Sequence, residues 1–514
     1  MNGAESLVHT LADAGVEVCF ANPGTSEMHF VAALDREPRI RPVLGLFEGA
    51  VTGMADGYGR MAGKPATTLL HLGPGLANGL ANLHNARRAA TPIVNIVGDH
   101  ATYHAHFDAP LASDVAGFAR PVSGWVHSST SALTVAADGA RAVAAALNPP
   151  GQIATLILPA DTAWNDAEGP APPLPIPQPA AVSGEAVKRA AEATKAGARC
   201  SILLRGAALE EAGLAAAGRI AEATGARLLV DTFAARLSRG AGRVVLQRIP
   251  YFAEQIVEFL AEVDELVLVG ARPPVAFFAY PGKPSWCLPA GARITYLAHP
   301  HEDPLGALQA LAEALDAPAK ATLFAPYAPP ESPSGPLNQY TLGQVIARHL
   351  PEGAIFSDEG ATGSLGTVLA TASAAPHDYL GLTGGSIGQG VPLATGAAVA
   401  APSSKVVCLQ GDGGAMYTLQ ALWTQARERL DVTTVILANR AYAILQIELG
   451  RVGALNAGPK ALSMFDLSDP NLDFVALAAG LGVEASRAET LEAFEAQFAA
   501  AMAQAGPRLI EVML

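Results

Sequence analysis

Short runs of β-branched and aliphatic residues alternate along the chain with longer stretches rich in Ala, Leu and Glu. Runs of this kind, bounded by turn residues, read as strands covered on both faces, and the stretches between them read as helices. The pattern predicts strands at Val16–Phe20, Thr67–His71, Pro92–Val97 and Ala154–Leu158, then at Cys200–Leu204, Arg227–Val230, Glu265–Val269 and Ile294–Leu297. A last group falls at Ala354–Ser357, Lys405–Gln410, Thr433–Ala438 and Leu509–Met513, and Ala136–Ala146 and Ala493–Ala505 read as helices. Proline crowds into Gly169–Ala181 and Phe324–Leu337. Proline removes a backbone donor and fixes φ, so both segments read as semi-rigid linkers. They divide the chain into units at 1–168, 182–323 and 338–514, each expected to be an α/β, doubly wound parallel sheet.

Composition agrees with three folded units. The chain has 514 residues, half of them hydrophobic, 16% charged, and a mean hydropathy of +0.27. Its 33 basic and 47 acidic residues leave a net charge of −14. A surface of that sign repels a phosphate backbone, so neither nucleic acid nor an anionic membrane is expected as a partner. Cys19, Cys200, Cys287 and Cys408 form no CxxC pair. That spacing fits a reducing compartment better than a disulfide framework or a zinc knuckle. Glu5 and Asp13 interrupt the N-terminal stretch where a signal peptide needs an unbroken apolar core. With no long uncharged apolar segment, a cytoplasmic location is expected.

Candidate chemistry concentrates in the last unit. The run Lys405–Gln410 ends in Gly411-Asp412-Gly413-Gly414 ahead of a helical stretch from about Thr418 to Arg429. Ligands of open α/β sheets bind beyond the carboxyl ends of strands, and glycines let the backbone approach a phosphate. A carboxylate there would repel phosphate unless a divalent cation lay between them, and magnesium, with its octahedral oxygen shell, suits that role. The next run, Thr433–Ala438, ends in Asn439-Arg440-Ala441-Tyr442, with Asn439 27 positions after Asp412. On adjacent parallel strands, the Asp412 carboxylate, the Asn439 side-chain oxygen and the Ala441 carbonyl could share one ion. Two unrelated turns are the alternative, since Gly, Asp and Asn are all common turn residues.

Gly-Asp-Gly followed by Asn at this spacing, each at a strand end, resembles the binding motif of thiamine diphosphate-dependent enzymes. The order of three α/β units with Pro-rich linkers extends the resemblance over nearly the whole chain, to the pyruvate oxidase and decarboxylase group. Within it the sequence is similar to benzoylformate decarboxylase and to acetolactate synthase large subunit-like proteins. The resemblance implies a pyrimidine-binding first unit, a central unit and a diphosphate-binding last unit. It also implies thiamine diphosphate and Mg2+ as cofactors. Gly411, Gly413, Gly414 and Tyr442 are then expected around the diphosphate, with Glu359 and Thr362 of Asp358-Glu-Gly-Ala-Thr-Gly-Ser364 beside them.

The same resemblance makes Glu48, in the apolar setting Val43–Val51, the carboxylate that activates the cofactor at its pyrimidine nitrogen. Burial is expected to raise its pKa. A glutamate that merely complements a helix dipole is the alternative. Gly53-Met-Ala-Asp-Gly-Tyr58 is similar to the family segment that comes after the catalytic glutamate. Gly384-Gly-Ser-Ile-Gly-Gln-Gly390 resembles the loop that bends the cofactor, with Ile387 as the wedge and Gly385 offering its carbonyl. In the family the glutamate and the metal ligands come from different subunits, which implies a homodimer or homotetramer.

At the substrate end, Asn22-Pro-Gly-Thr-Ser-Glu27 resembles a loop that meets the substrate carboxylate, with Thr25 in the contacting position. An N-cap is the plainer explanation of Thr25. His71 matches a decarboxylase histidine that exchanges protons. A second family histidine is expected near Ala276–Tyr280, where Phe277 or Phe278 stands instead. His100, His104, His106 and Asp108 match no standard metal cage, and their segment aligns with a loop over the site, where Leu111 is placed to wall the pocket.

A small-molecule 2-oxo acid or related acyl donor is thus the expected substrate, either decarboxylated or joined as an acyl group to a second carbonyl. No flavin signature stands out between Gly184 and Leu315, so FAD is not expected. A nicotinamide oxidoreductase is weakened by the absence of GxGxxG after a strand. A non-catalytic thiamine-binding protein would have no need of Glu48.

Overall fold

The protein is described by a computed structural model covering residues 1–454 and 456–514. Eighteen strands form three sheets among the described residues. In chain order the first sheet holds β1 (Val18–Asn22), β2 (Arg41–Leu44), β3 (Ala66–Leu70), β4 (Ile93–Asp99), β5 (Trp125–Ser128) and β6 (Ile153–Pro159). Then come β7 (Cys200–Leu204), β8 (Arg227–Val230), β9 (Leu237–Arg239), β10 (Gln247–Arg248), β11 (Glu265–Val269) and β12 (Arg293–Ala298). The last part contributes β13 (Ala354–Glu359), β14 (His377–Gly381), β15 (Val406–Gly411), β16 (Val432–Ala438), β17 (Glu484–Ala488) and β18 (Arg508–Met513).

Strand order is β2-β1-β3-β4-β6-β5 in the first sheet, β10-β8-β7-β11-β12 in the second and β17-β18-β16-β15-β13-β14-β9 in the third. Every pairing is parallel except β14 with β9. The α/β fold with three sheets is therefore as expected, with one difference in membership. β9 lies by number in the middle of the chain, yet it closes the edge of the last sheet, so the second and third sheets are stitched by a strand as well as by side chains.

Six strands escape the hydrophobic pattern, and five of them, β2, β5, β9, β10 and β17, are sheet edges. An edge strand packs less of its surface and carries polar residues, as in Glu484–Ala488, so no apolar run marks it. The helix expected at Thr418–Arg429 is two shorter helices, Asp412–Thr418 and Ala421–Glu428, the first of which already contains Gly413 and Gly414.

The helix Gly390–Ala400 is apolar all round and buried along nearly its whole length. It crosses the helix Glu48–Ala62 closely enough that glycine is required on both sides. A Cβ on Gly57 would lie 2.0 Å from the Leu393 carbonyl oxygen, and one on Gly396 1.8 Å from that of Met54. One core cluster runs through this crossing, joining Val51, Met54 and Ala55 to Val391, Leu393 and Ala397 and on to Val406 and Ile436. The first and last sheets are thereby one packed body, and the Glu48 helix is seated on the unit that carries Asp412. No described helix is long and apolar enough to cross a membrane.

Candidate functional site

The register Gly411↔Leu437 sets the ends of β15 and β16 side by side. Asp412 follows the first strand and Asn439 the second, and the two turns touch. The Asp412 carboxylate accepts the backbone N–H of Gly413 at 2.8 Å and that of Arg440, the residue after Asn439, at 2.7 Å. Arg440 has φ +56°, a left-handed turn that folds the chain back onto the aspartate. Asn439 Oδ1 accepts the Ala441 N–H at 3.1 Å, and the Tyr442 N–H continues to the Phe465 carbonyl.

Asp412 is 5% exposed, and burial pushes its carboxyl above the usual range while the two amides pull it down. A buried carboxylate held by neutral amides, beside an amide oxygen and a backbone carbonyl, is a hard-oxygen donor set that fits Mg2+. No group of three or more His, Cys, Asp or Glu among the described residues is arranged to hold a metal. The His100 and His104 rings pack at a tilt with centroids 5.4 Å apart, and the His106 ring lies tilted against Phe107.

Packing explains two of the glycines. A Cβ on Gly413 would lie 2.2 Å from the Tyr442 ring, and one on Gly414 2.4 Å from a Glu359 carboxylate oxygen. A Cβ on Gly411 would make only an ordinary contact. Glu359 itself is fully occupied within the chain. Its oxygens accept the N–H groups of Gly388 at 2.7 Å, Gln389 at 2.6 Å and Gly390 at 2.6 Å, and the Gln410 amide at 2.8 Å. A carboxylate has about four acceptor positions, and these bonds fill them. Within the chain Glu359 fastens the Gly388–Gly390 turn. Thr362 is half-buried in a single 3-10 turn, Ala361–Gly363.

The loop 384–388 leaves β14 and lies against the helix Leu72–Ala89 of the first unit. His84 Nε2 meets the Gly384 carbonyl at 3.1 Å, and Asn85 bonds both the N–H and the carbonyl of Ser386. The Gly388 carbonyl accepts from Asn82 and from the Thr418 hydroxyl. Gly385 takes φ +74°, and the Phe277 ring covers it so closely that a Cβ would lie 2.7 Å from that ring. Ile387 is half-buried in the middle of the loop. Phe277 also packs against Phe233, Tyr251 and Phe278, so the place where a second histidine was expected is an aromatic cluster.

Glu48 opens the helix Glu48–Ala62 and is 8% exposed, its carboxylate accepting the Asn78 amide at 3.0 Å. His71 follows β3 and occupies the N-cap position of the helix Leu72–Ala89. Because β1 and β3 are neighbours with Asn22↔Leu70, the two loops meet. His71 Nδ1 lies 2.9 Å from Glu27, whose buried carboxylate also accepts the Ser26 hydroxyl and the Gly24 N–H. Thr25 is exposed at the start of the 3-10 turn Thr25–Glu27, and Gly24 rather than Thr25 occupies the cap. Leu111 is 39% exposed on its loop.

Glu27 and Asn78 were not singled out by the sequence. Glu27 follows Gly24 by three residues, the spacing of a carboxylate that closes a first turn, and that signal pointed to a cap rather than to a histidine 44 positions away. Within one chain, no described hydrogen bond joins Glu48 to Asp412 or Asn439.

Comparison with known proteins bears on the whole chain. Residues 1–120 match the thiamine pyrophosphate enzyme N-terminal TPP binding domain, and residues 349–512 the C-terminal TPP binding domain. A Mycobacterium tuberculosis protein provisionally named acetolactate synthase large subunit IlvX is 53% identical over 100% of this chain and 99% of its own. Benzoylformate decarboxylase of Pseudomonas aeruginosa is 31% identical over 97% of this chain and 96% of its own. The solved thiamine diphosphate-dependent 4-hydroxybenzoylformate decarboxylase of Rhodococcus jostii superposes with a TM-score of 0.86 at 26% identity, covering 100% of this chain and 99% of that one. The chain belongs to the thiamine pyrophosphate enzyme family, and is a thiamine diphosphate-dependent enzyme of the decarboxylase and acetolactate synthase type.

Proposed function

We propose that the protein is a Mg2+- and thiamine diphosphate-dependent enzyme that decarboxylates or cleaves a 2-oxo acid in the manner of benzoylformate decarboxylase. The observation that carries this is the contact of Asp412 with the turn that bears Asn439, on neighbouring strand ends. Asp412, Asn439 and the Ala441 carbonyl would hold the ion, and the ion would hold the diphosphate. When bound, the cofactor supplies a nucleophilic carbon and an electron sink for cleavage of the bond to the substrate carboxylate.

The chain's own residues divide the remaining work. Glu48, oriented by Asn78, holds a proton at the pyrimidine nitrogen. The Gly385 carbonyl and the Ile387 side chain would hold the pyrimidine end of the cofactor. His71, held by Glu27, carries a proton to or from the substrate carbon, and Thr25 faces the substrate carboxylate. Glu48 of one subunit serves the cofactor held by Asp412 and Asn439 of the other, so the active unit is a homodimer or homotetramer. The buried, unpaired cysteines agree with a cytoplasmic setting.

A second reading, acetolactate synthase-like joining of the acyl group to another carbonyl, is supported by the aromatic cluster at Phe277 and Phe278. Those rings offer no proton for release of an aldehyde. The test is calorimetric titration with thiamine diphosphate in the presence of Mg2+, followed by a panel of pyruvate, benzoylformate, glyoxylate and branched 2-oxo acids. Carbon dioxide with aldehyde supports the first reading, and carbon dioxide with an acyloin or acetohydroxy acid the second. No uptake of the cofactor by a folded preparation refutes both.

A further inference from the structure

The helix Glu48–Ala62 carries a second charged feature, Asp56 and Arg60, that the proposed chemistry does not use. The pair is bidentate, Nε to Oδ1 at 2.9 Å and Nη2 to Oδ2 at 2.7 Å, with side chains 0% and 2% exposed. Every other polar position of the pair is also filled. Arg60 donates to the carbonyls of Gly381 at 2.8 Å and Ala235 at 3.2 Å, and to the Thr383 hydroxyl at 3.0 Å. Asp56 accepts the Thr91 hydroxyl at 2.5 Å and the side-chain amide of Gln389. Thr383 in turn donates to the Asn85 carbonyl at 2.8 Å.

Thr383 and Gln389 are the residues on either side of the loop 384–388. One buried ion pair therefore fastens the entry and the exit of that loop. Between these anchors, Gly384, Ser386 and Gly388 are bonded by His84, Asn85, Asn82, Thr418 and Glu359. Among the described hydrogen bonds, the Gly385 carbonyl and both backbone groups of Ile387 have no partner. Gly385 and Ile387 are the residues assigned to the pyrimidine end of the cofactor.

A buried ion pair adds little net stability over an apolar pair of the same shape, because desolvation offsets the attraction. What a closed network of this kind supplies is geometry, since each donor and acceptor admits one arrangement. We propose that Asp56, Arg60 and Gln389 are positioning residues that hold loop 384–388 so that Gly385 and Ile387 face the cofactor's pyrimidine half. The inference rests on the proposed function and concerns one end of the cofactor only.

The test compares two probes with one protein. Inorganic diphosphate with Mg2+ reports the Asp412 and Asn439 end alone, and thiamine diphosphate with Mg2+ reports both ends. Calorimetry on Gln389→Met and Thr383→Val should show thiamine diphosphate binding weakened about tenfold and inorganic diphosphate binding changed less than about twofold, one lost hydrogen bond being of that order. Thr383→Ser, which keeps the hydroxyl, should restore wild-type affinity even where Thr383→Val proves hard to fold. Parallel weakening of both probes, unchanged affinity for both, or failure of Thr383→Ser to restore binding overturns the positioning role. Absence of any thiamine diphosphate uptake by the wild-type protein instead overturns the proposed function.

Discussion

The two halves of the candidate site are built by different means. At the ends of β15 and β16, Asp412 is held by backbone N–H groups from its own turn and from the adjacent one. In the first unit, beyond the ends of β1, β2 and β3, side chains do most of the holding: Asn78 meets Glu48, and Glu27, besides accepting the Gly24 N–H, meets His71 and Ser26. Backbone donors are present whatever the neighbouring residues are, so strand register alone suffices to place Asp412. Side-chain partners depend on the identity of residues far away in the chain, so the first-unit half is the more sensitive to single substitutions around it.

Substitutions can separate the two halves. The largest effect is expected from Glu48→Gln, which removes the proton carrier while keeping an Asn78 contact: turnover should fall by roughly a thousandfold, within the usual range for loss of an acid or base, with cofactor affinity nearly unchanged. Steady-state rates and calorimetry on the same preparation check it, and a variant as active as wild type would remove Glu48 from the mechanism. Asp412→Ala should act at the other end, weakening Mg2+-dependent uptake of thiamine diphosphate by about a hundredfold or more, as expected for a lost charged ligand. If uptake survives, the ion is held elsewhere.

A smaller effect is expected from Glu27→Gln. The amide can still meet His71, yet it no longer presents a charge, and turnover should fall by about tenfold while the melting temperature stays close to wild type. If turnover is unaffected, Glu27 is a turn-closing residue and the contrast between the two halves loses one of its supports. Should cofactor affinity fall with turnover, the first-unit half reaches further into the binding site than this division allows.

The alternation of apolar runs and helical stretches was enough to mark every inner strand except β14, because a strand covered on both faces is mostly apolar, whereas β14 opens with His377 and Asp378. The spacing from Asp412 to Asn439 was readable for a related reason: two consecutive inner strands of a parallel sheet end beside each other. The polar edge strands were not readable, and neither was the transfer of β9 to the last sheet, which depends on which edge was left open.

What the chain by itself determined is the set of elements and the chemistry offered at their ends, since burial periodicity and turn residues act over a few positions. What only the tertiary structure decided is which side chains are consumed in holding the site. Glu359 accepts four hydrogen bonds from within the chain, which its position after a strand did not announce, and Asp56 and Arg60, to which the sequence assigned no role, grip both ends of a loop more than 300 positions away. The reason is that a buried polar group must find its partners in space, and those partners are fixed by how the first and last sheets pack against the Gly57–Gly396 crossing.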